Sequence, residues 1–115
     1  MESILDSIKK LLGIQPDYES FDDDIIMHIN TAFVILNQLN IGPPGGFFIT
    51  DKSTKWNKYT TETNHNMVKT YVHLKVRLMF DPPASATLVE SINSMIKELE
   101  WRLYLEGDKG GDDNE

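Results

Sequence analysis

The sequence predicts an all-α fold, a small bundle of four to five helices, and three observations carry that prediction. Apolar residues recur at i, i+3 and i+4 through four separate stretches. The breaks between them hold Gly and Pro, at Gly13, at Gly42-Pro43-Pro44-Gly45-Gly46 and at Asp81-Pro82-Pro83. Only one short run, Phe47-Phe48-Ile49-Thr50, reads as a strand. A chain of 115 residues suits one domain with one core. The division expected is a helical domain over residues 1–106 and a disordered acidic tail over 107–115, where Gly and Asp dominate and no apolar residue occurs.

The first helix, residues 2–12, places Ile4, Leu5, Ile8, Leu11 and Leu12 on one face, with Gly13 as its stop. A connector from Gln15 to Phe21 follows. Asp22, Asp23 and Asp24 then crowd the start of a second helix, where negative charge meets the positive end of the dipole. Three adjacent carboxylates also raise calcium, but the alternating ligands, central Gly and closing Glu of an EF-hand loop are missing. The second helix runs from about Asp23 to Asn40. Its apolar residues, from Ile25 to Leu39, occupy nearly the whole circumference, and such a helix is buried on all sides. Either the other helices wrap it or a neighbouring subunit covers part of it, through outward positions such as Val34 and Ile35.

Residues 43–65 form a long loop, which in a compact domain is often functional or mobile. Trp56 and Tyr59, spaced i and i+3, suit one helical turn folded back as a lid on the core, or anchors for a partner. The third helix spans about Asn66 to Phe80, and Asp81-Pro82-Pro83 forbids its continuation. Lys69, His73 and Arg77, at i, i+4 and i+8, make a basic stripe opposite its apolar face. The fourth helix runs from about Thr87 to Leu105. Thr87 and Glu90 fit a capping box, and Leu88, Ile92, Met95 and Leu99 follow a seam suited to another helix.

Charge and composition narrow the function. The net charge is −7, but it is uneven. Residues 1–24 hold seven acids against Lys9 and Lys10, residues 25–50 hold no charge, and residues 51–80 hold six cations against Asp51 and Glu62. An acidic chain is poorly suited to gripping phosphate backbones, whereas a basic middle between acidic ends favours head-to-tail contact with another copy. With no cysteine there is neither a disulfide nor a Cys-ligated zinc. No signal peptide pattern and no membrane span occur, so a soluble, cytosolic chain is expected. His28, His65 and His73 are the only histidines, and no nucleophile elbow, P-loop, dinucleotide fingerprint or zinc-protease motif is present. No catalytic, metal or cofactor site is expected, and no enzyme activity.

Several stretches together resemble a known family. They are Leu11-Leu12-Gly13-Ile14, then Phe21 to Asn30, then Ile41-Gly42-Pro43. The more specific ones are the run Lys69-x-Tyr71-x-x-Leu74-Lys75-x-Arg77-x-x-Phe80-Asp81-Pro82-Pro83 and the closing Glu98-Leu99-Glu100-Trp101-Arg102-Leu103. The chain resembles the small head–tail connector (adaptor) proteins of long-tailed bacteriophages and prophages, often labelled DNA packaging proteins. The resemblance implies a structural subunit that forms a homo-oligomeric ring beneath the portal protein, in the virion at the head–tail junction, after assembly in the host cytoplasm. It implies contacts with the portal and with a downstream head-completion or tail protein. DNA would pass through the channel without specific binding, and no cofactor is implied. Val34, Ile35, Lys69, His73 and Arg77 are the residues expected at a subunit or portal interface. A small helical regulatory module, of inhibitor or anti-repressor type, is the alternative, and would stay a monomer or dimer.

Overall fold

The computed structural model describes residues 2–59 and 65–112 and is helical throughout, with no strand among the described residues. The helices are α1 (Ile4–Leu11), α2 (Asp22–Gln38), α3 (Trp56–Tyr59), α4 (His65–Phe80) and α5 (Ala86–Asp112). The four longer ones match the expected periodicity. Helix α4 is the hub: α1, α2 and α5 all pack on it. Val68, Tyr71, Val72, Leu74 and Val76 of α4 are buried against Ile25, Ile29, Phe33 and Leu36 of α2, Ile4, Leu5 and Ile8 of α1, and Ile96 and Leu103 of α5.

Each helix end has a local cause. Ser3 caps α1, its Oγ accepting from the Asp6 N–H at 3.2 Å. Gly13 (φ +82°) then turns the chain into the left-handed region, and the Ile14 N–H closes on the Lys9 carbonyl at 2.8 Å. Helix α2 ends earlier than expected. Asn40, at φ +63°, takes the left-handed position, and the Ile41 N–H bonds to the Leu36 carbonyl at 3.0 Å. The turn that closes α2 is therefore made by Asn40, before the Pro/Gly run begins. Gly42 has a separate reason to be glycine, since a Cβ there would stand 2.6 Å from the Tyr59 ring. The cap of α5 is Ser85, whose Oγ accepts from the Leu88 N–H at 3.3 Å, and not the expected Thr87.

Two further expectations are corrected. Phe47 to Thr50 pairs with no strand. Instead, the Asn30 side chain receives the Ile49 N–H at 2.8 Å and donates to the Ile49 carbonyl at 2.9 Å, satisfying both backbone groups as a strand neighbour would. Helix α5 also runs past its expected end at Leu105 to Asp112; residues 113–115 of the expected acidic tail lie outside the described residues. Gly107 is buried because a Cβ there would fall 2.1 Å from the Leu39 carbonyl oxygen. Only a glycine lets α5 come this close to the end of α2.

The loop between α2 and α4 covers the core. Trp56 and Tyr59, on the single turn of α3, are both buried. The Trp56 indole donates to Ser7 Oγ at 2.7 Å, and Phe33 lies with its ring centroid 4.8 Å from Tyr59 and 5.2 Å from Phe47. The aromatic pair is thus a lid, the first of the two readings its spacing allowed.

Candidate assembly surfaces

Helix α2 is apolar nearly all round, yet the bundle covers only part of it. Ile25, Ile29, Ala32, Phe33 and Leu36 are buried, whereas Met27 and Val34 remain 57% and 45% exposed. With Phe48, 62% exposed, they border an open groove of about 630 Å³ that Ile26, Thr31 and Asp23 also line. The expected outward pair is thereby split. Val34 faces the groove, while Ile35 packs against the core edge.

The basic stripe of α4 is drawn into the chain's own structure. Lys69 Nζ lies 2.5 Å from Glu2 Oε1, and this hydrogen bond holds the Glu2 carboxyl below its usual range. His73 is half-buried; burial, and then the charge of Arg77, lower its pKa, against a partial offset from the Leu11 carbonyl. The Nε2 of His73 and the Nε of Arg77 are buried without hydrogen-bond partners among the described residues. Among the expected interface cations, only Lys69 bears an ion pair, and that pair is internal.

A family model described as phage connector protein matches residues 4–110, nearly the whole chain. The chain belongs to the phage connector protein family. No curated protein and no solved structure matches it. The family is a structural one, placed at the head–tail junction of the virion and assembling with portal and tail proteins, and among the described residues no group of His, Cys, Asp and Glu could hold a metal ion. Among the described residues, no helix is long and apolar enough to cross a membrane.

This connector has a second apolar surface, on α5, which packs chiefly on α4. Trp101, 60% exposed, stacks on exposed Tyr104 at 5.9 Å, with exposed Leu105 beside them. These residues lie outside the face that buries Ile96 and Leu103. Of the expected seam, Ile92 and Leu99 pack inward and Leu88 and Met95 stay exposed. The signal for the second surface was present in Trp101, Tyr104 and Leu105, at i, i+3 and i+4 on the back of an amphipathic helix. Sequence reasoning had used Trp101 only as a family motif.

A buried lysine organises the connector between α1 and α2. Lys9 is 0% exposed, and its Nζ donates to the carbonyls of Pro16 at 3.0 Å and Tyr18 at 2.7 Å while pairing with Asp22 Oδ1 at 2.7 Å. Two carbonyls accept from the ammonium and the Asp22 carboxylate balances its charge as an ion pair, which is the condition for burying such a group.

Proposed function

We propose that the chain is a head–tail connector subunit that assembles into a ring beneath the phage portal, forms part of the DNA channel and offers a platform for tail attachment. The observation that carries this reading is the pair of unlike apolar surfaces, the α2 groove with Met27, Val34 and Phe48 and the α5 face with Trp101, Tyr104 and Leu105. A monomer has no use for two such faces. Unlike faces on one subunit support head-to-tail contacts, and these close into a ring when the rotation between copies is right.

The electrostatics agree with a passage through which DNA moves without being held. A chain of net charge −7 in which Lys69 pairs with Glu2 and the Nε of Arg77 is buried presents few free cations on α4 with which to grip a phosphate backbone. Lys69, His73 and Arg77 therefore serve the fold of the subunit first, and Val34 becomes the residue of the expected five best placed to touch a neighbour. Sedimentation of the purified chain over a wide concentration range tests the reading. Oligomers beyond the dimer, together with no gel shift of duplex DNA at near-physiological salt, are expected. A chain that stays a monomer or dimer and blocks a regulatory partner would favour the regulatory module instead.

A further inference from the structure

Helix α1 carries opposite charge at its two ends. At its N-terminal end the backbone is stitched to the loop: the Ile4 N–H bonds to the Thr54 carbonyl at 2.9 Å and the Trp56 N–H to the Glu2 carbonyl at 3.2 Å. Those bonds seat Lys52, Lys55 and Lys58, all exposed, beside that end. Of the exposed acids at this end, Asp51 is occupied by the Ser53 N–H and hydroxyl and Glu2 by Lys69. At the C-terminal end, Lys9 fixes Pro16, Tyr18 and Asp22, and so presents Asp17, Glu19, Asp23 and Asp24, again all exposed, with Lys10 the single exposed cation of α1. None of these three lysines or four acids makes an ion pair among the described residues. The eight residues of α1 separate the two ends by about 12 Å, more than the ~8 Å screening length at physiological salt, so each end acts as its own charge.

The acidic end also carries aromatic rings. Tyr18 and Phe21 are exposed, with centroids 5.6 Å apart, and Phe21 rests edge-on against Phe80 at 5.2 Å. Carboxylates beside exposed ring faces are the chemistry that receives a lysine, its stem along the rings and its ammonium among the acids. Resting on the ring reading above, we infer that the acidic, aromatic end of α1 in one copy receives Lys52, Lys55 and Lys58 of the next copy. Charge complementarity selects this occupant: the same chain carries three unpaired lysines on the surface that a head-to-tail neighbour would offer. The charge pairing sets which edge meets which, and the apolar faces bury the remaining area.

A charge swap tests the inference on the full chain, with circular dichroism confirming that each variant folds. One variant carries Asp17→Lys and Glu19→Lys, the other Lys52→Glu and Lys55→Glu. Each alone opposes like charges at every contact, and self-association at low salt should weaken by about tenfold or more. An equimolar mixture restores opposite charges at every contact in an alternating chain, and association should return to near the wild-type level. Variants that assemble as well as wild type, or a mixture that fails to recover, overturn the inference and leave the ring reading standing. Recovery that stops at a dimer overturns the head-to-tail geometry in favour of a two-fold contact. A wild-type chain that forms no oligomer, alone or on a portal, overturns both readings.

Discussion

Replacing Lys9 by Met removes an ammonium and keeps its stem. The side chain is wholly buried, so its apolar carbons stay packed and the change isolates the polar end. The carbonyls of Pro16 and Tyr18 lose their donor, and the carboxylate of Asp22 loses its counter-charge. Pro16 and Tyr18 sit in exposed residues, and Asp22 keeps 19% of its side-chain surface, so water can reach part of what is vacated. The cost is then below the full penalty of a broken buried ion pair, at about 2–4 kcal/mol. At about 2.1 cal/mol/K of unfolding entropy per residue, a chain of 115 residues loses ~4 °C per kcal/mol, so the melting temperature should fall by ~8–16 °C. Urea unfolding of wild type, Lys9→Met, Asp22→Asn and the double variant would measure the cost and the coupling between the pair. A loss under about 1 kcal/mol with no coupling would show that Lys9 does not hold the connector, and would remove the support for the acidic end of α1.

The neighbouring positions Val34 and Ile35 should part company. Val34→Asp should leave a stable monomer that assembles poorly, whereas Ile35→Asp should unfold the bundle, as thermal melts and sedimentation would show. Gly107→Ala should destabilise by about 1–3 kcal/mol, because its Cβ would meet the Leu39 carbonyl, where the same change in an undocked helix would stabilise; a raised melting temperature would contradict the docking of α5. For His73 the folded-state pKa lies below the ordinary 6.5, so the unfolded chain takes up the proton first and stability falls as pH drops through that value. Urea midpoints above and below pH 6.5 should show a slope that His73→Gln flattens.

Much of the bundle was legible because its signals are local. Gly13, the apolar spacing of the four long helices and the Asp81-Pro82-Pro83 stop all act within a turn or two of where they stand. The lid was legible too, since Trp56 and Tyr59 are large, apolar and one turn apart. What escaped depends on partners distant in sequence. Asn30 stands in for a strand only because residues 47–50 return beside it, and Gly107 matters only because Leu39 lies across from it. Lys9 enters the sequence of residues 1–24 only as one of two cations against seven acids, and nothing within α1 says that the carbonyls of Pro16 and Tyr18 converge on it. The basic stripe on α4 was a true helical alignment, but Glu2 and α1 lie against it, so alignment did not mean exposure. Of the surfaces, the α2 groove was half visible through the charge-free helix, and the α5 face was hidden inside a motif used for the family.

The central claim is that this connector assembles as a ring on a portal. Electron microscopy of the wild-type chain mixed with the portal protein of the same phage tests it most directly. The account predicts an added ring-shaped layer, with side-by-side copies touching through unlike edges and a central channel continuous with that of the portal. Portal particles that gain no layer, or that bind isolated copies without contact between neighbours, would contradict it.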